Sequence, residues 1–250
     1  MSDVEILPPI SWDAFSTALE KERVPFLEAT ASRALELAAI SSDATVLDLE
    51  ADRGTVGWLA ARRARRVVCV EDWPRSYERL EERLRAEPLE NLSLVRAPTS
   101  SLPFEDRSFD AAFWVQPMGL PAGGQRRHLA EVARVLKPGG HLLAMFWRSP
   151  RRVDQGDESR LPQLLAALKD NWLCRVRDYR YQLTAPSNVA LYYARAAIDG
   201  FPADTSRMGR QMRISMAERA VELAQRATGP IEVTGATVVV DAVKGGHASN

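Results

Sequence analysis

Apolar residues recur in short blocks along the middle of the chain, and these blocks alternate with stretches in which apolar residues stand three or four positions apart. Compact runs rich in Val, Leu and Phe predict buried strands, whereas the wider spacing predicts helices with one apolar face. Strand and helix alternation at this spacing is typical of a parallel sheet covered on both faces, so we expect an α/β fold. The pattern predicts strands at 45–49, 67–71, 92–96, 109–115 and 139–146, with helices at 55–64, 75–86 and 125–136.

The regions that flank this core have weaker patterns. Apolar residues at helical spacing predict an N-terminal helical flank at 13–40, and one amphipathic helix is predicted at 161–172 inside an irregular, Arg-rich stretch. We interpret residues 148–200 as a lid or substrate-side insertion and residues 201–244 as the C-terminal strands and helix. The elements predicted after residue 185 are helices at 187–199 and 216–227, a strand near 206–214 and a last strand at 236–244. A single domain over residues 1–250 accommodates all of them.

Composition and charge narrow the class of protein. The 33 Lys and Arg residues balance 33 Asp and Glu residues, so no long-range positive field favours nucleic acid or an anionic membrane. Cys69 and Cys174 share no metal-ligand spacing, and Cys69 lies in an apolar run that indicates a buried thiol. The N-terminus lacks the pattern of a secretory signal, and no apolar run is long enough to span a membrane. We therefore expect a cytoplasmic protein.

Four segments carry a resemblance to a known family: ATVLDLEADRG at 44–54, VVCVEDWP at 67–74, LPFEDRSFDAAFW at 102–114 and LAEVARVLKPGGHLLAMFW at 129–147. They resemble class I S-adenosylmethionine (SAM) dependent methyltransferases, in particular the small-molecule, ubiquinone and menaquinone methyltransferase-like, type 11 group. The resemblance covers residues 13–146 well and the C-terminal hundred residues loosely. It implies a Rossmann-like, seven-stranded, mostly parallel sheet with an antiparallel last strand, in which residues 44–147 form the SAM-binding core.

The resemblance places a cofactor loop after the first core strand. In the family this strand ends in an acid, which Asp48 matches, and a Gly-x-Gly-x-Gly loop follows. Gly54 matches the third glycine, whereas Glu50 and Asp52 stand on the first two glycine positions. Glycine in such a loop adopts positive φ and lets the backbone approach a ligand closely. The two acidic side chains therefore predict a degenerate SAM site.

The remaining cofactor positions are a mixture of retained and altered residues. Glu71 matches the acid that accepts hydrogen bonds from the ribose hydroxyls, whereas Asp72 stands where the family has an apolar residue against adenine. Trp73 follows, and it either stacks on a base or fills an empty adenine pocket. Pro98 replaces the Asp that accepts from the adenine amino group. Trp114, at the end of the fourth strand, is predicted to face the methyl acceptor.

No catalytic residue and no metal site is predicted. Gln116 and Met118 also face the acceptor region by alignment, but neither is a general base. His128, His141 and His247 fall on a helix, at the start of a strand and in the C-terminal tail, and we interpret them as surface residues. The acids at the ends of the first two strands meet at one edge of the sheet. Several of their side chains can point to solvent, so we do not predict that they hold a metal ion.

Three functions stay open at this point. We expect a methyltransferase-fold protein with a degenerate SAM site, catalytically inert or non-canonical, that acts as a binding or partner subunit in which SAM binding is doubtful. One alternative is an active SAM-dependent methyltransferase acting on a small molecule. The other is a fold adapted to a non-methylating reaction, such as an isomerisation or a cyclisation. The expected partners are a small-molecule substrate or a protein, and a homo-oligomer or hetero-oligomer is compatible with the sequence.

Overall fold

The computed structural model describes residues 3–7, 25–115, 125–148, 161–169, 172–185, 218 and 231–245. Contacts within the chain divide it into two compact units. The first comprises Met1–Leu7, Ala18–Tyr181 and Gly235–Asn250, and the second comprises Pro8–Thr17 and Gln182–Thr234. The helices and the core of the sheet described below lie in the first unit, and the single domain over residues 1–250 stays a prediction.

The described elements follow the alternating pattern of the sequence. The helices are α1 (Pro25–Leu37), α2 (Thr55–Ala61), α3 (Pro74–Ala86), α4 (Gln125–Val135) and α5 (Leu161–Leu168). The strands are β1 (Asp3–Ile6), β2 (Thr45–Leu49), β3 (Arg66–Glu71), β4 (Leu92–Arg96), β5 (Phe109–Val115), β6 (Leu136–Arg148), β7 (Trp172–Ala185) and β8 (Ile231–Lys244). Among the helices of these ranges, none is long and apolar enough to cross a membrane.

The described strands form one eight-stranded sheet in the order β1-β7-β8-β6-β5-β2-β3-β4. β5, β2, β3 and β4 are parallel to their neighbours, β6 is parallel to β5, and β8 runs antiparallel to β6. The chain progresses outward from β2 through β3 to β4 and then returns to β5 on the other side of β2. Open α/β sheets bind ligands at such a reversal, beyond the carboxyl ends of the strands.

Both faces of the sheet are covered, which explains why the core strands read as continuous apolar runs. Val46 on β2 packs with α1 and α2 residues such as Leu35 and Val56, on one face. Leu47, the next residue, packs on the opposite face with α4 residues such as Val132. Alternation along each strand therefore supplies two hydrophobic layers from one short sequence.

The predicted α/β fold and the antiparallel last strand are confirmed, but two strands were missed. β1 adds an edge strand that pairs in parallel with β7, so the expected count of seven is wrong by one. β7 occupies Trp172–Ala185, where the sequence predicted an irregular stretch. The elements predicted at 187–199, 206–214 and 216–227 lie outside the described ranges, apart from the single helical residue Glu218.

The two most distinctive sequence segments are joined by one side chain. Arg134, near the end of α4, donates to the carbonyl oxygens of Leu102 and Phe104, at 2.9 and 2.7 Å. It also pairs with Asp106 and Glu131, at 2.9 Å each. The Arg of RVLKPGG thus fixes the Leu-Pro-Phe turn that precedes β5, which explains why these two patterns occur together.

Candidate functional site

The loop between β2 and α2 keeps a left-handed backbone at all three glycine positions of the family loop. Glu50, Asp52 and Gly54 have φ values of 51°, 45° and 69°. A residue with a Cβ atom is strained there, typically by about 1–2 kcal/mol. The loop also donates from the Ala51 N–H to the Val70 carbonyl of β3, at 3.1 Å. The loop therefore holds a glycine-like path with two side chains that disfavour it.

Gly54 is required by packing as well as by φ. A Cβ at this position would lie 2.5 Å from Cζ3 of Trp58 and 2.9 Å from Cδ2 of Leu80. Trp58 is 4% exposed, as expected for a core residue. Arg83 of α3 stacks its guanidinium 4.3 Å from the Trp58 ring centroid and donates to the Arg53 carbonyl oxygen at 2.6 Å. The C-terminal end of the loop is therefore tightly packed against α2 and α3.

Asp48, at the end of β2, lies beneath this loop. It is 1% exposed, and its Oδ2 atom accepts from the Gly57 N–H at 2.8 Å and from the Cys69 thiol at 3.8 Å. Burial raises the pKa of Asp48 to about 8, although the Gly57 and Cys69 hydrogen bonds act in the opposite direction. The predicted buried state of Cys69 is confirmed. Asp48 therefore fixes the start of α2 from below.

Gly57→Ala tests this packing. A Cβ at residue 57 would overlap the Cys69 sulfur and lie 3.1 Å from Asp48 Oδ2, so we expect the free energy of unfolding to fall by about 1–3 kcal/mol. Removing the sulfur in the double variant Gly57→Ala with Cys69→Ala should recover a large part of that loss. Urea denaturation of the two single variants and the double variant measures the coupling. Strict additivity would show that the Cys69 sulfur is not the obstacle.

Glu71, at the end of β3, has both carboxylate oxygens turned toward backbone amides. Oε1 accepts from the N–H groups of Asp72 and Trp73, both at 2.9 Å, and Oε2 accepts from the Asp52 N–H at 3.0 Å. The side chain is buried, and burial raises the pKa of Glu71, which the charges of Asp52 and Glu50 raise further. Each carboxylate oxygen can accept about two hydrogen bonds. Oε2 therefore keeps room for one more donor, such as a ribose hydroxyl.

The two acidic side chains on the glycine positions leave the loop in different directions. Asp52 is exposed, and its Oδ1 accepts from the Ser76 hydroxyl of α3 at 3.2 Å. Glu50 is half-buried and points toward the segment after β4, where Thr99 Oγ1 lies 3.4 Å from Glu50 Oε1. Thr99 is a polar residue of this edge that the sequence did not single out. Within the described ranges, no three His, Cys, Asp or Glu residues are grouped to hold a metal ion.

Three of the residues that the resemblance places near the adenine base are exposed to solvent. Trp73 is 54% exposed, so it does not fill an adenine pocket, and that interpretation is wrong. Asp72 and Pro98 are also exposed, while Ala97 is buried. The exposed indole leaves one of the two predicted roles of Trp73, stacking on a base.

Trp114 does not line an open cleft, because it is fully buried on β5. Its ring stacks on His128 of α4, with centroids 6.2 Å apart. Two histidines also differ from the expected surface placement, since His128 Nδ1 is buried and His141 Nδ1 lies 2.7 Å from Asp241 Oδ1. The remaining acceptor-side residues, Gln116 and Met118, lie outside the described ranges, as does His247.

The residues present are compatible with a bound SAM molecule in three respects. The loop backbone has the left-handed path at each glycine position, and Glu71 has an acceptor position left at the end of β3. The exposed indole of Trp73 is available to a planar base. The Glu50 side chain, in contrast, extends toward Thr99 and takes up space at the edge of the sheet where these residues lie.

Comparison with known proteins points to methyltransferases. A family model described as a methyltransferase domain matches residues 53–144. A glycine/sarcosine/dimethylglycine N-methyltransferase from Actinopolyspora halophila is 32% identical over 159 residues, which are 63% of this chain and 27% of that protein. A demethylmenaquinone methyltransferase from Tropheryma whipplei is 32% identical over 119 residues, 48% of each chain. The chain thus spans about a quarter to a half of the length of these curated relatives.

The fold agrees with these matches. The YcgJ protein of Bacillus subtilis superimposes with a TM-score of 0.60 at 18% identity, over 86% of this chain and 98% of that one. At this identity the likeness concerns the fold alone. The mostly parallel sheet and its antiparallel last strand are those that the sequence resemblance implied. Residues 53–144 thus match a methyltransferase domain, and the described fold is that of the class I SAM-dependent methyltransferases.

Proposed function

We propose that this chain binds SAM and transfers its methyl group to a small molecule. The observation that carries the proposal is the left-handed backbone at Glu50 and Asp52, with φ values of 51° and 45°. Strained residues persist where the surrounding structure enforces them, and they cluster at ligand sites. A loop that had lost its ligand would be free to relax to an unstrained path. The retained path therefore supports a retained cofactor site.

The direction of the Asp52 side chain supports the same proposal. A side chain at the second glycine position was expected to occupy the cofactor's space. Instead, Asp52 is exposed and accepts a hydrogen bond from Ser76 on α3, while its N–H donates to Glu71. Its backbone therefore performs the role of a glycine, and its side chain lies on the α3 side of the loop.

The roles of the individual residues follow from their positions. Glu71 would accept from a ribose hydroxyl at its remaining Oε2 position, and Trp73 would stack on the base with its exposed indole. Bound SAM supplies an electrophilic methyl group on a sulfonium. The described residues supply binding and orientation, and correct alignment of an acceptor beside that methyl group is itself a large catalytic contribution.

A second candidate function is a catalytically inert binding subunit. The contact between Glu50 and Thr99 favours it, because this side chain reaches across the edge where a nucleoside would lie. Three backbone amides already occupy Glu71, which lowers its capacity for ribose hydroxyls. A protein of this kind would keep the fold and a partner surface without methyl transfer.

Two measurements separate these functions. Calorimetric titration with SAM and with S-adenosylhomocysteine is expected to give micromolar dissociation constants, whereas no binding at millimolar ligand would contradict SAM binding. Incubation with methyl-labelled SAM and a pool of cellular small molecules should then move label into a product of low mass. Binding without any transfer of label would support the inert subunit. Heat-denatured protein is the control for non-enzymatic methylation.

A further inference from the structure

The Glu50 carboxylate extends from the loop after β2 to the segment after β4, across the end of β3. Its Oε1 atom lies 3.4 Å from Thr99 Oγ1, and Thr99 is 4% exposed. We propose that Glu50 is the residue that recognises the base of the bound nucleoside, by accepting a hydrogen bond from the exocyclic amino group of adenine. This inference rests on the proposed function.

The segment after β4 has no carboxylate among residues 97–101. Ala97 has no polar side-chain atom, and Pro98 has neither a polar side chain nor an N–H group. Thr99 offers a hydroxyl, which is buried and directed at Glu50. A charged acceptor at this end of the site must therefore come from another element, and Glu50 is the carboxylate that reaches it.

The Glu50 carboxylate has unused capacity for a ligand. A carboxylate has about four acceptor positions, and within the described residues Glu50 receives one hydrogen bond, from Thr99. At 3.4 Å this bond is long, since O–H···O bonds are usually 2.5–3.0 Å. An amino group can therefore bind without displacing a strong interaction. Hydrogen bonds to a charged acceptor are also about twice as strong as neutral ones.

Glu50 is also close to the ribose end of the site. Glu50 directly follows β2 and Glu71 ends β3, and these two strands pair in parallel with Leu49 opposite Val70, so both residues lie at the same edge of the sheet. A nucleoside whose ribose contacted Glu71 would lie beside Glu50, and we infer that its base would face the Glu50 carboxylate and Thr99. The positive φ of Glu50 holds the side chain on this side of the loop despite the strain of that conformation.

The test compares two ligands and three variants by calorimetric titration. The ligands are S-adenosylhomocysteine and its 6-deamino analogue, in which the base is unsubstituted purine. Wild-type protein is expected to bind the deamino ligand at least ~10-fold more weakly, the usual effect of removing one partner of a hydrogen bond to a charged group. Glu50→Gly should bind both ligands equally. Glu50→Gln, which keeps an amide oxygen as acceptor, should retain part of the preference.

Thr99→Val is the matched control, because it removes the hydroxyl at nearly constant volume and leaves the carboxylate in place. We expect this variant to keep the preference for the amino-bearing base. Thermal unfolding of each variant reports whether it is folded, and glycine is the residue most compatible with the backbone at position 50.

Three outcomes would overturn the inference alone: equal binding of both ligands by the wild type, an unchanged preference in Glu50→Gly, or much tighter S-adenosylhomocysteine binding by Glu50→Gly. The last result would show that the side chain blocks the nucleoside site rather than reads the base. If the wild type binds neither ligand, the proposed function fails and the inference fails with it. The two failures are therefore distinguishable.

Discussion

Glu71→Gln is expected to weaken S-adenosylhomocysteine binding by at least ~10-fold and to lower the free energy of unfolding by about 1–3 kcal/mol. The carboxylate accepts three backbone N–H groups, from Asp52, Asp72 and Trp73. Glutamine has one oxygen and one NH₂ group, so in either orientation at least one of these N–H groups faces another donor. The loss of the third acceptor should disturb the turn into α3 and the loop after β2 together.

The effect on ligand binding has a separate cause. Oε2 of Glu71 has one acceptor position left, which a ribose hydroxyl would take. With glutamine, that position becomes a donor or is needed by the Asp52 N–H. Urea denaturation measures the loss of stability, and calorimetric titration measures the loss of affinity.

Asp72→Asn is the matched control for Glu71→Gln. It removes one negative charge from the next residue along the chain, whose side chain is exposed. We expect little change in stability, because exposed substitutions away from specific contacts usually have small effects. If both variants weakened binding equally, the general charge of this edge would matter and the geometry of Glu71 would not. Unchanged stability in Glu71→Gln would contradict the three-amide arrangement.

The central strands could be predicted from sequence because each is buried on both faces. The runs at 45–49 and 109–115, in the centre of the sheet, have the same bounds in the structure as in the prediction. Their apolar residues serve two layers of core, so no surface face interrupts the pattern. The edge strand at 92–96, which is only partly buried, has the predicted bounds as well. The helix at 125–135 ends one residue before its predicted end, which is within the usual uncertainty of helix termini.

β7 could not be recognised in the same way. Arg175, Arg177 and Arg180 interrupt its apolar residues, so it lacks the continuous run of a central strand. The alternating pattern is instead that of a strand near the edge of the sheet, with one face exposed to solvent. β1 is shorter still, with four residues before a proline pair, and its place depends on pairing with β7. Both strands are fixed by tertiary contacts that the local sequence does not encode.

The candidate site was only partly predictable for a different reason. Sequence alignment placed Glu50 and Asp52 on the glycine positions, but it gave no direction for their side chains. In the structure Asp52 is directed to Ser76, and Glu50 to Thr99. Ser76 lies 24 residues from Asp52 on α3, and Thr99 lies 49 residues from Glu50 in the segment after β4. A substitution that looked like damage to the loop can therefore leave its backbone path intact.

Asp48→Asn is expected to flatten the dependence of stability on pH. The pKa of Asp48 is raised from 3.8 to about 8, first by burial. Between these two values the folded protein binds a proton that the unfolded chain has released. The free energy of unfolding should therefore fall as pH rises through this range, by up to about 1.4 kcal/mol per pH unit, and level off above it.

Asparagine has no proton to lose in this range, and its side-chain oxygen can still accept from the Gly57 N–H. The variant should therefore be close to wild type in stability at pH 5 and more stable than wild type at pH 8. Urea denaturation at one-unit intervals from pH 5 to pH 8 measures the difference in slope.

Cys69→Ala is the control for the comparison of Asp48→Asn with the wild type. Burial raises the pKa of the Cys69 thiol well above its usual value, so the thiol itself stays neutral throughout this range. Losing its hydrogen bond removes an effect that lowers the pKa of Asp48, so Cys69→Ala should keep the falling slope of the wild type and extend it to higher pH. The raised pKa of Glu71 also contributes to the slope, so Asp48→Asn should flatten the curve without making it level. Parallel curves for Asp48→Asn and wild type would show that Asp48 is already ionised in the folded protein. In that case the buried carboxylate would carry a charge beneath the loop, and SAM, whose net charge is positive, would lose affinity in Asp48→Asn.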